Sequence, residues 1–248
     1  MLLRRLMQHA RDQNWVAVGL DFVIVVVGVL FALQLSIWAE ARSDRAAVAA
    51  QLVEFRAGLV ANTTEIESLL IELEGVEDAV ETLRTALGQD TSEIDPASFH
   101  TALMVTIRVP VFDVTLGSRQ ALADSDWRTL TEDRALVAAI TRWDRQLAIV
   151  QRLSTDALSH RDGVLLGSWL RSPVSLGATL YQSPRIANAG FSQGRFVSDF
   201  NLLAQSREFD GAIGLRFAIS AQQAAEARAL LELTHELIAL LEEIEASK

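Results

Sequence analysis

The sequence predicts an all-α protein, with one N-terminal transmembrane helix followed by a bundle of long, coiled-coil-like helices. Three observations carry this reading. Residues 15–38 read WVAVGLDFVIVVVGVLFALQLSIW, with Asp21 the sole charge. Beyond them Val48, Leu52, Phe55, Leu59, Asn62, Ile66, Leu69, Leu73, Val76, Val80, Leu83 and Leu87 alternate spacings of four and three, and eleven of the twelve are apolar. That pattern marks a helix packed lengthwise on other helices. Two later stretches repeat it, and no run of buried parallel strands occurs between them.

Composition narrows the function. Half of the 248 residues are apolar, enough to bury a core. The net charge is −10, and residues 1–38 hold three arginines against two aspartates, so the remainder carries −11. An acidic chain of this kind lacks the basic face that nucleic acid requires. Lys248 is the only lysine, which removes lysine phosphate cradles and Schiff-base chemistry. The absence of cysteine excludes disulfides and thiolate metal sites, and it suits either a reducing cytosol or a periplasmic domain without staples.

Residues 1–14 form an amphipathic segment, with Leu2, Leu3, Leu6, Met7 and Ala10 on one face and Arg4, Arg5, Gln8 and Arg11 elsewhere. The span follows over 15–38, about 35 Å of helix with a tryptophan at each end. Three arginines precede it, and Arg42 and Arg45 follow. This bias points to a cytoplasmic N-terminus, which puts residues 39–248 in the periplasm, or in the extracytoplasmic space of another host. Ala39-Glu40-Ala41 resembles a signal-peptide cleavage site, but the uncharged run from Phe22 to Ala39 exceeds the roughly 7–15 residues of a signal core, which favours a retained anchor.

In the helix after the span, Val53, Val60 and Leu70 widen the apolar stripe toward a further neighbour. Asn62 either fixes register or marks a break at Asn62-Thr63-Thr64, where Thr64 and Glu67 match a capping box. Gly58 and Gly75 each weaken the helix by about 1 kcal/mol relative to alanine. Gly88 to Pro96 is a stop, with Asp95 as N-cap of a helix over about 97–108. An extended connector over 109–117 and a short helix over 118–123 come next. Thr131 to His160 is a long helix whose Leu136, Ile140, Trp143, Leu147 and Val150 keep the four-three count. Residues 171–196 are loop-rich, a crossover or a binding loop. A last helix starts near Ser206. One of its stripes holds Ile213, Phe217, Ala224, Ala227, Leu231, Ile238 and Leu241, and the adjacent one Leu230, Leu233, Leu237, Leu240 and Ile244. Its length matches the first helix, so the two suit antiparallel pairing.

Chemical motifs are fragmentary. Gly190-Phe191-Ser192-Gln193-Gly194 matches a nucleophile elbow, and Asp210 and His235 follow in triad order, but the flanking strand and α/β sheet are absent. Glu232-x-x-His235 has di-iron spacing without its second copy, and Ala239 replaces the second histidine of a zinc-protease motif. The sequence therefore predicts no enzyme, metal or cofactor. Within the span, Gly28, Ala32 and Ser36 form a small-residue ladder with Asp21 on about the same face, the candidate transmembrane interaction face. Leu52, Phe55, Asn62, Leu69 and Leu73 are the candidate helix–helix seam.

The segment Leu20 to Gly28, Leu-Asp-Phe-Val-Ile-Val-Val-Val-Gly behind Trp15, resembles the N-terminus of a family of uncharacterised proteobacterial single-span inner-membrane proteins. The resemblance implies a membrane-anchored helical protein and brings no activity with it. Trp15, Asp21 and Phe22 also have a spacing similar to the B subunit of the flagellar motor stator, in which that aspartate carries protons. The chain departs from that family after the span, where no α/β peptidoglycan-binding domain follows. The expectation is a membrane-anchored scaffold or adaptor without catalysis, partnered by another copy or another membrane protein. The alternatives are an ion-carrying subunit acting through Asp21, and a periplasmic ligand-binding bundle.

Overall fold

The structure is a computed structural model that describes residues 15–87, 95–111, 133–171 and 200–246, with Arg119, Gln120, Leu122 and Trp127 between them. The described residues are all-α, without a strand. Helix α1 (Trp15–Ala86) is followed by α2 (Pro96–Thr106), α3 (Arg134–His160), one π-helical turn (Arg161–Leu165), α4 (Leu166–Leu170), α5 (Phe200–Ala204) and α6 (Arg207–Ala246). The amphipathic segment 1–14, residues 112–117 of the connector, half of the short helix and nearly all of the loop-rich insert lie outside the described residues.

α1 holds 72 residues without interruption, roughly 110 Å, and joins the apolar span to the bundle as one element. Asn62-Thr63-Thr64 does not break it. Thr63 Oγ1 donates back to the Leu59 carbonyl at 3.1 Å, and Asn62 is buried among apolar neighbours, so no helix end is left for Thr64 to cap. α1 is also the one helix among the described residues long and apolar enough to cross a membrane. Fourteen large apolar side chains from Leu20 to Trp38 stand more than a third exposed. A surface of that size and character is unfavourable in water and matches lipid. At its far end Arg42 lies over the Trp38 ring at 5.7 Å.

The bundle has three long members. α1 and α6 run antiparallel, as ion pairs along their contact show: Arg56 reaches Glu245 at 3.1 Å and Glu242 at 3.3 Å, and Arg228 reaches Glu74 at 3.4 Å. α3 runs antiparallel to α6, with Gln146 Nε2 donating to Glu226 at 2.7 Å. Nearer the span the core joins α1 residues Val48 to Leu73 with Leu136 to Val150 of α3 and Ala224 to Leu241 of α6. Farther out, α1 residues Val76 to Ala86 pack with Phe99 and Leu103 of α2, Leu165, Leu203 and Phe209 to Ile213 of α6.

Local signals set the helix ends. The Asp95 carboxylate accepts from the Ala97 and Ser98 amides and from the Ser98 hydroxyl at 2.6 Å, and these bonds hold its pKa below the usual carboxylate value. α3 starts at Arg134, not Thr131, because Asp133 is spent as its N-cap, accepting from the Ala135 and Leu136 amides at 2.8 and 3.1 Å. α2 ends at Thr106 rather than 108. Ser206 stands just before α6 and accepts from the Phe209 amide.

Two faces differ from expectation. Val53 and Val60 are 45% and 50% exposed, so they do not widen the packed stripe, whereas Leu70 does. The deepest stripe of α6 lies between the two predicted ones and draws Ile213, Ala227 and Leu241 from the first and Leu230 and Leu237 from the second. It runs Phe209, Ile213, Arg216, Ser220, Gln223, Ala227, Leu230, Thr234, Leu237 and Leu241, all buried in four-three alternation. Four of these ten are polar, which hides that part of the stripe from any count of apolar residues.

Candidate functional site along the long helix

The two predicted sets of residues both fall on α1, in opposite environments. Asp21, Gly28, Ala32 and Ser36 are exposed along the span, and beyond the local turn of its own helix no described atom lies within 4 Å of where a Cβ on Gly28 would stand. Gly28, Ala32 and Ser36 recur every fourth residue, so a helix approaching them meets little more than backbone over two turns. Asp21 stands about 10 Å nearer the N-terminal end of the span by helical rise.

Leu52, Phe55, Asn62, Leu69 and Leu73 are buried, none more than 7% exposed. Their partners are α3 and α6 of the same chain. Phe55 meets the edge of Trp143 with ring centres 5.9 Å apart and planes at 85°. Trp143 Nε1 in turn donates to Thr234 Oγ1 at 2.9 Å, and Thr234 donates to the Leu230 carbonyl at 2.7 Å. One layer of the bundle is thus fixed by a ring from each of α1 and α3 and a hydroxyl from α6. Apolar packing supplies most of its stability and the indole bond its register.

Arg216 was not singled out by sequence. It is fully buried, and its Nε donates to the Thr106 carbonyl at 3.1 Å while Nη2 donates to the Arg108 carbonyl at 2.7 Å. Both acceptors lie at the C-terminal end of α2, where a cation is favoured by the exposed carbonyls and the helix dipole. Nη1 is buried without a hydrogen bond, and no carboxylate pairs with Arg216 among the described residues. Burial pushes its pKa down to about 10. Four residues earlier on α6, the Ala212 carbonyl faces His160 Nε2 at 3.2 Å. Burial, with a smaller push from the Arg216 charge, lowers the His160 pKa below its ordinary value, although the bond to Ala212 opposes this. His160 closes α3 at the start of the π turn, where the Leu166 amide bonds to the Arg161 carbonyl. These contacts tie α2, α3 and α6 together at the end of the bundle away from the span.

The triad suggested by Ser192, Asp210 and His235 does not assemble. Asp210 and His235 are exposed on the same straight helix, 25 residues or roughly 37 Å apart, and Ser192 lies outside the described residues. Glu232 and His235 are exposed on α6, and no group of three or more metal-ligating side chains occurs among the described residues. An open cleft of about 440 Å³ lies between the end of α1 and the start of α6, edged by Glu81, Arg84, Arg207 and Asp210. Its two acids and two bases balance, so it selects neither charge.

Comparisons with protein-family models, curated proteins and solved structures return no match for this chain.

Proposed function

We propose that the protein is a membrane-anchored helical scaffold or adaptor, with its N-terminus in the cytoplasm of a bacterial inner membrane and its bundle in the periplasm, working through protein contacts rather than chemistry. One observation carries the proposal. α1 is both the span and the central strut of the bundle, so whatever it grips in the membrane is coupled to the bundle through an unbroken helix. The small-residue face of the span is uncovered among the described residues, which leaves it available to a transmembrane partner. The arginine bias around the span and the likeness of Leu20–Gly28 to proteobacterial single-span proteins support the topology.

Photo-crosslinkers placed singly along α1 in intact membranes test the adaptor reading. The expected result is discrete protein adducts at a repeating subset of positions. Adducts nowhere on α1 would overturn it. Protease added to the periplasmic side of spheroplasts should digest the bundle and spare the N-terminus, and the reverse pattern would overturn the topology.

A further inference from the structure

α1 has a second lengthwise stripe, diametrically opposite the buried seam. Ala46, Ala50, Val53, Ala57 and Val60 keep the same four-three alternation, and every one of them is exposed. Counting back in phase, the stripe continues through Ser43, Ala39 and Ser36 into the span's small-residue face, also exposed. Among the nine exposed residues from Ala46 to Thr64, Glu54 alone is charged and seven are alanine or valine. A merely solvated face looks different on this molecule: five of the seven exposed residues from Arg228 to Glu243 of α6 are charged. The stripe ends at Glu67, where a carboxylate takes the next seam position.

Resting on the adaptor reading, we propose that this stripe is the interface for a second copy of the chain, paired α1 to α1 in parallel. The occupant follows from three arguments. First, copies anchored by one span enter the membrane with the same orientation, so their α1 helices are parallel and in register, and a two-fold axis along the membrane normal brings each seam residue to its own counterpart. Second, the chain is strongly acidic, so two copies repel except along a line without charge, and this stripe is that line. Third, from Gly28 to Thr64 the stripe extends roughly 55 Å, and at a helix width of about 10 Å two such faces bury on the order of 1,100 Å², above the ~1,000 Å² a specific interface needs. Alanine at alternate seam positions lets the helices approach closely, and Val53 and Val60 supply the larger side chains that interlock.

The chain has no cysteine, so single substitutions report cleanly. Val53→Cys and Val60→Cys, oxidised in native membranes with the full chain, should yield a covalent dimer of twice the 27.2 kDa monomer mass. Ala225→Cys and Ala239→Cys, exposed on α6, should stay monomeric. No dimer from the seam positions, or equal dimer from α6, overturns the proposal. Seam adducts only with a protein of different mass overturn the second copy while leaving the adaptor reading standing. Because both valines are exposed, the double variant Val53→Glu, Val60→Glu keeps the bundle folded. In mild detergent it should associate at least roughly tenfold more weakly, since unpaired charges would be buried at the contact. A variant that dimerises like the parent overturns the proposal.

Discussion

Replacing Arg216 isolates what a lone buried cation contributes to this bundle. Arg216→Met removes charge-assisted hydrogen bonds to the Thr106 and Arg108 carbonyls, each worth about 1.5–3 kcal/mol in favourable geometry. It also removes a burial penalty. The depression of the guanidinium pKa to about 10 corresponds to roughly 3 kcal/mol held against the charged form. With methionine filling most of the volume, the two contributions nearly offset, and the net loss should be about 0–3 kcal/mol. Arg216→Ala adds a cavity and should cost a further 2–5 kcal/mol. The bonds end on α2, so amide hydrogen exchange over Pro96–Ile107 should accelerate in Arg216→Met more than anywhere on α3. Denaturant melts and exchange on the full chain in detergent read both effects. Equal loss in the methionine and alanine variants, or unchanged exchange over α2, would refute the reasoning.

Three further outcomes follow from the same contacts. His160 has a folded pKa below its unfolded value of 6.5, so the unfolded chain binds the proton more readily; stability is full above pH 6.5 and falls as pH drops from there toward the folded pKa. Melts between pH 7.5 and 5 should show that slope, and His160→Gln should flatten it. Asp133→Ala removes the acceptor for two amides at the start of α3 and should cost about 1 kcal/mol, against almost no change for the exposed Asp156→Ala. Asp21→Asn should leave membrane insertion and seam crosslinking unchanged. A loss of cellular function with crosslinking intact would instead favour the ion-carrying reading.

What the sequence made legible depended on whether a face was chemically uniform. The α1 seam is almost wholly apolar, so its phase was readable over five heptads, and the one polar member, Asn62, did not disturb it. The innermost stripe of α6 is legible only in its apolar members, because Arg216, Ser220, Gln223 and Thr234 occupy the rest; Arg216, Ser220 and Thr234 are satisfied or partly satisfied by backbone or ring groups, and Gln223 Oε1 is buried without a hydrogen bond. Apolar counting settled on neighbouring residues such as Leu231 and Leu233, which are half-buried flanks. Helix starts shifted for a related reason: Asp133 reads equally well as a first-turn acid and as a cap, and only its amide partners decide.

The same reasoning explains why Val53 and Val60 were misplaced. Hydrophobicity says that a residue prefers to leave water, without naming what covers it. Among the described residues, α3 and α6 cover Leu52 and Phe55 and leave the opposite face exposed. A helix that spent its apolar residues on one core would carry charge on its outer side, as α6 does. α1 carries alanine and valine there, in phase with the membrane face. Among the described residues α3 and α6 cover only one of these two faces, and the proposed second copy would cover the other.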